Sequence, residues 1–302
     1  MWHGLLLVSL AGIIWGTIGP GVQIVHDESG LSPLLISAYR AIAAVTVLLL
    51  VALATGRLRT SWFLARHQWR RVALVGLFTA LFQLLFFVAV IAVGVSLTTV
   101  VALGFAPVLL LVVSSIQRRT IPSLQETLTV AVALAGLGLV SVFGDFGTRT
   151  ADPTLGILAA LGSGAAYALS TDVAAPLSRR LDTLTVTVAT MSVAAVVLVP
   201  TGLVLASLRG ETLTTSDTTS WLVIIYLGVV TMAVAYALLF TGLRSTPSGA
   251  VVVATLLEPV TAVAIAVLFL GERLTPAGLV GSLLIVAAIA GLGRRSKVPQ
   301  PQ

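Results

Sequence analysis

The sequence has no cysteine, one lysine among its basic residues, and only 9% charged residues in 302. The absence of cysteine excludes disulfides and thiolate metal sites, and the three histidines form no metal-ligand cluster. We therefore expect no metal site. No Walker-type phosphate loop occurs either, so the sequence predicts no ATP-driven step and no cofactor. Soluble domains carry about 25% charged residues, so this shortage of charge argues against a fold in water.

Apolar segments of about twenty residues recur along the chain, separated by short loops that hold nearly all the charge. A helix of that length crosses the ~30 Å hydrocarbon core of a bilayer, and the alternating strands of a membrane barrel are not seen. The first segment is too long for a signal-peptide core and lacks a basic region before it, so we expect a permanent span. The sequence predicts an all-α membrane protein with ten transmembrane helices, at residues 4–25, 33–54, 71–93, 96–116, 124–143, 154–173, 183–206, 220–241, 248–270 and 276–293.

The basic residues favour one side of this ten-helix arrangement. Thirteen of the seventeen Lys and Arg residues fall in loops on one side, whereas Arg149, Arg209 and Arg273 fall on the other. Because positive residues are retained in the cytoplasm, both termini of this multi-pass membrane protein are predicted to be cytoplasmic. This placement accounts for the net charge of +6 without a nucleic-acid partner.

The two halves of the chain resemble each other at a constant offset of 152 residues. The sequence predicts two five-helix repeats, at 1–147 and 152–295, followed by a disordered tail at 296–302. Because each half has an odd number of spans, the second half is inverted relative to the first, an arrangement typical of transporters. The alternative is a gene duplication kept for folding alone. The matches include Gly4 with Gly156, Gly12 with Gly164, Trp15 with Tyr167, Gly76 with Gly228, Thr79 with Thr231 and Pro107 with Pro259.

Two charged residues fall well inside predicted spans, Arg40 in the second and Glu258 in the ninth. A charge at the bilayer centre costs about 2.5–3.5 kcal/mol on insertion scales, so neither is expected to face lipid. Their repeat counterparts are Ser192 and Ala106, so each charge occurs in one half only. The two residues either line a polar cavity or pair across it. The alternative is that an ion pair between them, or an arginine bonded to backbone carbonyls, only fixes helix positions. Glu258 is also the candidate proton acceptor if protons are the coupling ion.

Polar and aromatic side chains also lie near span centres, namely Trp15, Gln83, Tyr167 and Tyr236. Trp and Tyr usually collect at membrane interfaces, so their central depth favours either a cavity lining or helix–helix packing. With Arg40 and Glu258 they form the predicted substrate-binding set.

Three motifs carry a resemblance to a known group, Tyr-Arg-Ala at 39–41, Leu-Leu-Glu-Pro at 256–259 and Gly-Glu-Arg-Leu-Thr at 271–275. With the ten spans and the repeat, the chain resembles the drug/metabolite transporter superfamily, and within it the EamA-type bacterial exporters. The resemblance implies a central cavity lined by the spans that carry Trp15, Gln83, Tyr167, Tyr236 and Glu258, and a structural role for Glu272 and Arg273. The first half departs from the pattern, with Arg-Arg-Thr at 118–120 where Gly-Glu-Arg would recur.

The resemblance further implies export, without ATP, of amino acids or related small metabolites, by a secondary transporter that is not an enzyme. The expected partners are a small-molecule substrate and the lipid bilayer. A channel or a membrane-embedded enzyme remains the alternative class, and sugars or nucleosides the alternative solutes. The sequence leaves the oligomeric state open.

Overall fold

The computed structural model describes residues 2–141, 153–269 and 275–294, which form helices and connecting turns without a β-strand. We number fourteen α-helices in chain order and name the one π-helical stretch separately. They are α1 (Trp2–Trp15), α2 (Ile18–Ser29), α3 (Pro33–Ala54), α4 (Leu58–His67), α5 (Trp69–Val93), α6 (Val95–Arg118), α7 (Leu124–Ser141), α8 (Pro153–Arg180), α9 (Thr183–Leu208), α10 (Thr218–Gly228), the π segment (Val229–Val234), α11 (Ala235–Leu243), α12 (Ser248–Ala254), α13 (Leu257–Phe269) and α14 (Pro276–Arg294).

Within these described ranges, nine helical stretches are long and apolar enough to cross a membrane, and Pro276–Leu292 is a shorter apolar helix. All ten lie where the sequence predicts a span, with ends that differ by a few residues in most cases. Two differences are larger. The sixth predicted span continues as α8 to Arg180, and the connection after the second span contains the helix α4, which the sequence analysis missed.

Three of the candidate spans are interrupted near their middle. The first bends between α1 and α2, at Gly16 and Thr17, and the eighth passes through the π segment. The ninth breaks between α12 and α13 at Thr255 and Leu256, just before Pro259. Proline has no N–H for the carbonyl four residues earlier, and here the N–H of Glu258 reaches the Thr255 carbonyl instead, at 2.9 Å. Interruptions of this kind are found in transporters where backbone lines a cavity.

The helix packing repeats itself under the 152-residue offset. Helix α1 packs against α11, and its counterpart α8 packs against α5, the counterpart of α11. Likewise α8 packs on α6 while α1 packs on α12 and α13. Two further pairs, α3 with α9 and α7 with α14, join an element to its own counterpart. Each half therefore completes its packing with elements of the other.

Glycines between packed helices allow their backbones to approach closely, as expected for small residues in membrane helices. A Cβ on Gly12 would lie 3.0 Å from the Thr255 carbonyl oxygen, and one on Gly16 would lie 2.6 Å from the Glu258 carbonyl oxygen. A Cβ on Gly164, the counterpart of Gly12, would overlap the Ala102 carbonyl. These three glycines therefore lie at tight helix–helix contacts.

Several sequence predictions fall outside the described residues. They concern Arg149, the turn with Glu272 and Arg273, and the tail 296–302.

Candidate functional site

Three of the predicted aromatic residues meet at the centre of the molecule. The ring centroid of Trp15 lies 6.2 Å from that of Tyr167 and 5.3 Å from that of Tyr236, both in edge-to-face geometry. Such pairs contribute about 0.5–1.5 kcal/mol beyond area burial. All three side chains are buried, at 7% exposure or less. Trp15 therefore joins α1 to helices α8 and α11, and none of the three faces lipid.

The polar atoms of two of these rings are hydrogen-bonded across helices. The indole N–H of Trp15 donates to the Thr231 carbonyl at 2.8 Å, within the π segment. The hydroxyl of Tyr167 lies 2.9 Å from Thr255 Oγ1, which itself donates to the Val252 carbonyl at 2.9 Å, so Tyr167 is the donor. The repeat counterparts Trp15 and Tyr167 thus bind the two interrupted spans of the second half.

Arg40 and Glu258, from opposite halves of the chain, face the same region. Both interact electrostatically with Tyr236 and with each other. Among the described residues they form no ion pair within 4 Å. Arg40 is 5% exposed, and Glu258 is half-buried. The predicted alternative of a direct structural ion pair is therefore not what this conformation contains.

Two buried donors in this region have no partner within the described part of the chain, Nε of Arg40 and Nε2 of Gln83. They belong to one polar group, because Ser37 donates to Gln83 Oε1 at 3.3 Å and lies one helical turn before Arg40 on α3. An unsatisfied buried donor costs about 1–3 kcal/mol. Two of them together favour a ligand that supplies acceptor oxygens. We call Ser37, Arg40 and Gln83 the donor group.

Glu258 lies in the first turn of α13, next to the break in the ninth span. The N-terminus of a helix carries a partial positive charge that favours a carboxylate there. Gly16 of α1 lies against the Glu258 backbone, where a side chain would not fit. The carboxylate therefore lies beside the interruption and has no cationic side chain within 4 Å in the described residues.

The sequence analysis missed several residues of this region. Ser37 could have been found from its spacing, because residues three apart share a helix face with Arg40. Phe82, whose ring centroid lies 5.2 Å from that of Tyr167, carried no signal beyond its aromatic character. Thr231 contributes through its backbone carbonyl, which no side-chain pattern reveals. The six predicted residues come from six different spans. Trp15 contacts Tyr167 and Tyr236, and Arg40 links this cluster to Glu258 and, through Ser37, to Gln83.

Polar contacts join helices at the end of the molecule that the basic residues predict to be the inner one. Asp172 of α8 accepts hydrogen bonds from Gln117 at 3.4 Å and from Ser248 at 2.7 Å. These contacts join α8 to α6 and α12. At the same end Arg57 pairs with Asp182 at 2.5 Å, which links α4 to the start of α9.

No group of three or more His, Asp or Glu residues suited to a metal occurs within 2–141, 153–269 and 275–294. The chemistry available at the centre is therefore that of the donor group, one carboxylate and a wall of aromatic rings. Groups of these kinds can bind and orient a small molecule through hydrogen bonds, charge and ring contact.

Comparisons with known proteins agree with this architecture. The chain is 28% identical over 255 residues to the uncharacterized transporter YwfM of Bacillus subtilis (strain 168), which covers 82% of this chain and 79% of that protein. A solved crystal structure superposes with a TM-score of 0.78 at 19% identity, covering 98% of this chain and 99% of the other; it shares the fold. The sequence profile of the EamA-like transporter family matches twice, at residues 2–142 and 154–294. The chain is therefore a membrane transporter that belongs to the EamA-like transporter family of the drug/metabolite transporter superfamily.

Proposed function

We propose that this transporter exports amino acids or closely related zwitterionic metabolites by alternating access. The carrying observation is the pair of opposite charges, Arg40 and Glu258, that face one buried aromatic region without an ion pair between them within 4 Å. A solute that bears both a carboxylate and an ammonium group complements this arrangement. A solute with one charge would leave the other charge of the site unmatched.

The carboxylate of the solute binds the donor group in this proposal. Nε of Arg40 and Nε2 of Gln83 are both buried donors without partners in the described chain, and hydrogen bonds between a charged pair are worth about 1.5–3 kcal/mol each. The neutral amide of Gln83 adds a second donor, which suits an oxygen-rich group better than a hydrocarbon. The solute supplies the acceptors that the described residues do not provide for these two donors.

The ammonium group of the solute binds Glu258, and the aromatic cluster of Trp15, Tyr167 and Tyr236 forms the wall between the two polar poles. Glu258 also serves as the coupling site for protons. A carboxylate that holds either a proton or the ammonium group cannot hold both. Because the two ligands then exclude each other, their movements are coupled as exchange, and inward proton flow drives outward solute flow.

Alternating access requires two related bundles that move about the site. The proposal of ten spans in two inverted five-helix halves is supported by helix packing that recurs under the 152-residue offset. It is also supported by the family profile, which matches once in each half. Inverted repeats of this kind enclose a site near the bilayer midplane.

The orientation with both termini in the cytoplasm rests on thirteen basic residues on one side against three on the other. In that orientation the contacts of Asp172 with Gln117 and Ser248 close the cytoplasmic end. We propose that these hydrogen bonds break when the protein opens inward to take up its solute. The cytoplasmic bacterial membrane is the proposed location.

Solute counterflow in proteoliposomes tests the function. Liposomes preloaded with one amino acid should accumulate the same labelled amino acid transiently and with saturation. Flux that stays linear with concentration would indicate a channel, and chemical change of the solute would indicate an enzyme. If sugars or nucleosides show counterflow and amino acids do not, the transported solute is neutral and the proposal of a zwitterion is wrong.

Proton coupling is tested with Glu258→Gln and the matched control Glu211→Gln, a carboxylate ion-paired with Arg209 at a loop. We expect Glu258→Gln to lose stimulation by an imposed pH gradient, and Glu211→Gln to retain it. Unchanged gradient dependence in the inserted, folded Glu258→Gln protein would exclude this carboxylate as the coupling site.

A further inference from the structure

An apolar groove lies beside α4, the helix that the first half has and the second half lacks. Its volume is about 690 Å³, and it is bounded by Leu49 of α3, Leu58 and Trp62 of α4, and Val188 and Val196 of α9. This volume falls within the ~300–1,000 Å³ typical of small-molecule sites. The groove lies away from the aromatic cluster and has no part in the proposed transport path.

The groove opens where lipid meets water. Helix α4 connects two candidate spans, α3 and α5, so it lies at the end of both. Trp62 is 72% exposed and Phe63 is 60% exposed, whereas Ser61 and Leu64 of the same helix are buried. An amphipathic helix with an exposed Trp is typical of the membrane interface. The apolar floor of the groove therefore adjoins the acyl chains of the bilayer.

One arginine lines the groove, and the segment around it is basic. This arginine is Arg59, and the segment from 55 to 72 contains no acidic residue. Arg57 is neutralised by Asp182 at 2.5 Å. Arg59, Arg66, Arg70 and Arg71 are exposed and form no ion pair with any described residue. Four unpaired arginines at a membrane surface attract anionic headgroups, by about 1 kcal/mol for each residue near the surface.

We propose that the groove between α3, α4 and α9 is a binding site for one anionic phospholipid, with an acyl chain along the groove and its phosphate at Arg59. The acyl chain fills the apolar space of the groove, and the headgroup meets the charge of Arg59, which forms no ion pair with a carboxylate of the described residues. The lipid contacts α3 and α9, the pair of equivalent helices that join the two halves.

Native mass spectrometry of the intact transporter tests the site. The protein is purified in mild detergent and exchanged with an equal mixture of phosphatidylglycerol and phosphatidylcholine. We expect the unaltered protein to retain one phosphatidylglycerol. Two variants should each lower the retention of phosphatidylglycerol by about fivefold or more. Arg59→Gln removes one charge near the headgroup. Ser192→Trp fills the groove from α9, where Ser192 lines it.

Matched controls separate the site from general effects. Val204→Trp places the same ring on an exposed position of α9, and Arg209→Gln removes an arginine from a different loop; both should retain lipid as the unaltered protein does. Arg59 is exposed, so its variant tests the proposal even where Ser192→Trp does not fold. Equal retention of both lipids, or full retention by Arg59→Gln, would overturn the proposal. A dimer in light scattering that Ser192→Trp dissociates would instead assign the groove to a second copy of this chain, and would also overturn it.

Discussion

The two halves of the molecule share a sequence pattern but differ in how their helices are built. In the first half, α5 and α6 run without interruption through Thr79 and Pro107, whereas in the second half the equivalent spans contain the π segment at Thr231 and the break before Pro259. The charges differ in the same way, with Arg40 in one half and Glu258 in the other. The halves are thus alike in packing and complementary in chemistry. In the proposed mechanism the first half holds the solute carboxylate and the second half holds the ammonium group and the proton.

The largest effect is expected from removing Arg40, the buried charge that the first half has and the second half lacks at the equivalent position. Arg40→Gln removes the cation that binds the solute carboxylate, and a lost hydrogen bond to a charged group costs about 1.5–3 kcal/mol. We expect the initial rate of amino acid counterflow at low concentration to fall by at least ~10-fold, chiefly through a higher KM.

The matched control is Ser192→Ala, at the repeat counterpart of Arg40, which should transport within about twofold of the unaltered protein because Ser192 faces the groove beside α4. Equal losses in the two variants would mean that Arg40 acts on folding and not on the solute.

The next largest effect concerns the interruption in the ninth span. Pro259→Ala supplies an N–H that can reach the Thr255 carbonyl, so α12 and α13 can join into one helix and carry Glu258 out of place. We expect counterflow to fall by several-fold while the protein remains folded, because a misplaced binding group loses much of its interaction. Pro107→Ala in the continuous α6 is the control, and its transport should change little. Hydrogen-exchange measurements on the backbone amides of residues 255–259 would show whether this segment is more protected in Pro259→Ala than in the unaltered protein.

Much of this architecture follows from the sequence. The positions of the spans and the tight glycines depend on local hydrophobicity and on small residues four apart, both of which are visible in one chain. The interruptions could not be predicted in the same way. Thr79 and Thr231 are identical at equivalent positions, yet only Thr231 lies in a π-helical segment, where its carbonyl accepts from Trp15. The local residue is the same in both halves, so the hydrogen bond to a distant Trp15 is a feature that local sequence does not reveal.

The candidate site shows the same limit. Arg40 and Glu258 could be selected because a charge in a span is costly wherever it faces lipid. That they would approach the same tyrosine without pairing depends on the packing of α3, α11 and α13 together. The Gln83 amide likewise shows a feature that one helix does not determine. Its Oε1 accepts from Ser37 on a different helix, while its Nε2 has no partner in the described residues.

A smaller effect compares equivalent glycines. A Cβ on Gly164 would overlap the Ala102 backbone, whereas one on Gly12 would lie 3.0 Å from the Thr255 carbonyl oxygen, and one on Gly138 meets nothing within 4 Å. Overpacking costs about 1–3 kcal/mol. We therefore expect Gly164→Ala to lower the unfolding temperature most, Gly12→Ala to lower it less, and Gly138→Ala to leave it unchanged or raise it. The reverse order in a detergent unfolding series would show that the first-half seam is the tighter one.

The smallest effect is at the start of α9, which has a capping carboxylate where its counterpart α3 has none. Burial tends to raise the pKa of Asp182, but hydrogen bonds from Thr185 and the ion pair with Arg57 outweigh it, so this pKa lies below its usual value. A group with a lowered pKa stabilises the fold above its unfolded pKa of ~3.9, and this stabilisation is lost as the pH falls through the folded pKa.

Asp182→Asn retains a good cap and should change the unfolding temperature little at pH 7. It should also reduce the loss of stability between about pH 5 and pH 3. The side chain is 39% exposed, so the difference is expected to be small. An acid sensitivity identical in both proteins would show that Asp182 contributes nothing to it.

The most direct test of the central claim is counterflow of one amino acid measured against its amide and its decarboxylated amine. If the solute lies between Arg40 and Glu258, the unaltered transporter exchanges the zwitterion and rejects both analogues. Equal exchange of the zwitterion and the amine would contradict the account, because it would mean that the cation of the first half does not bind the solute.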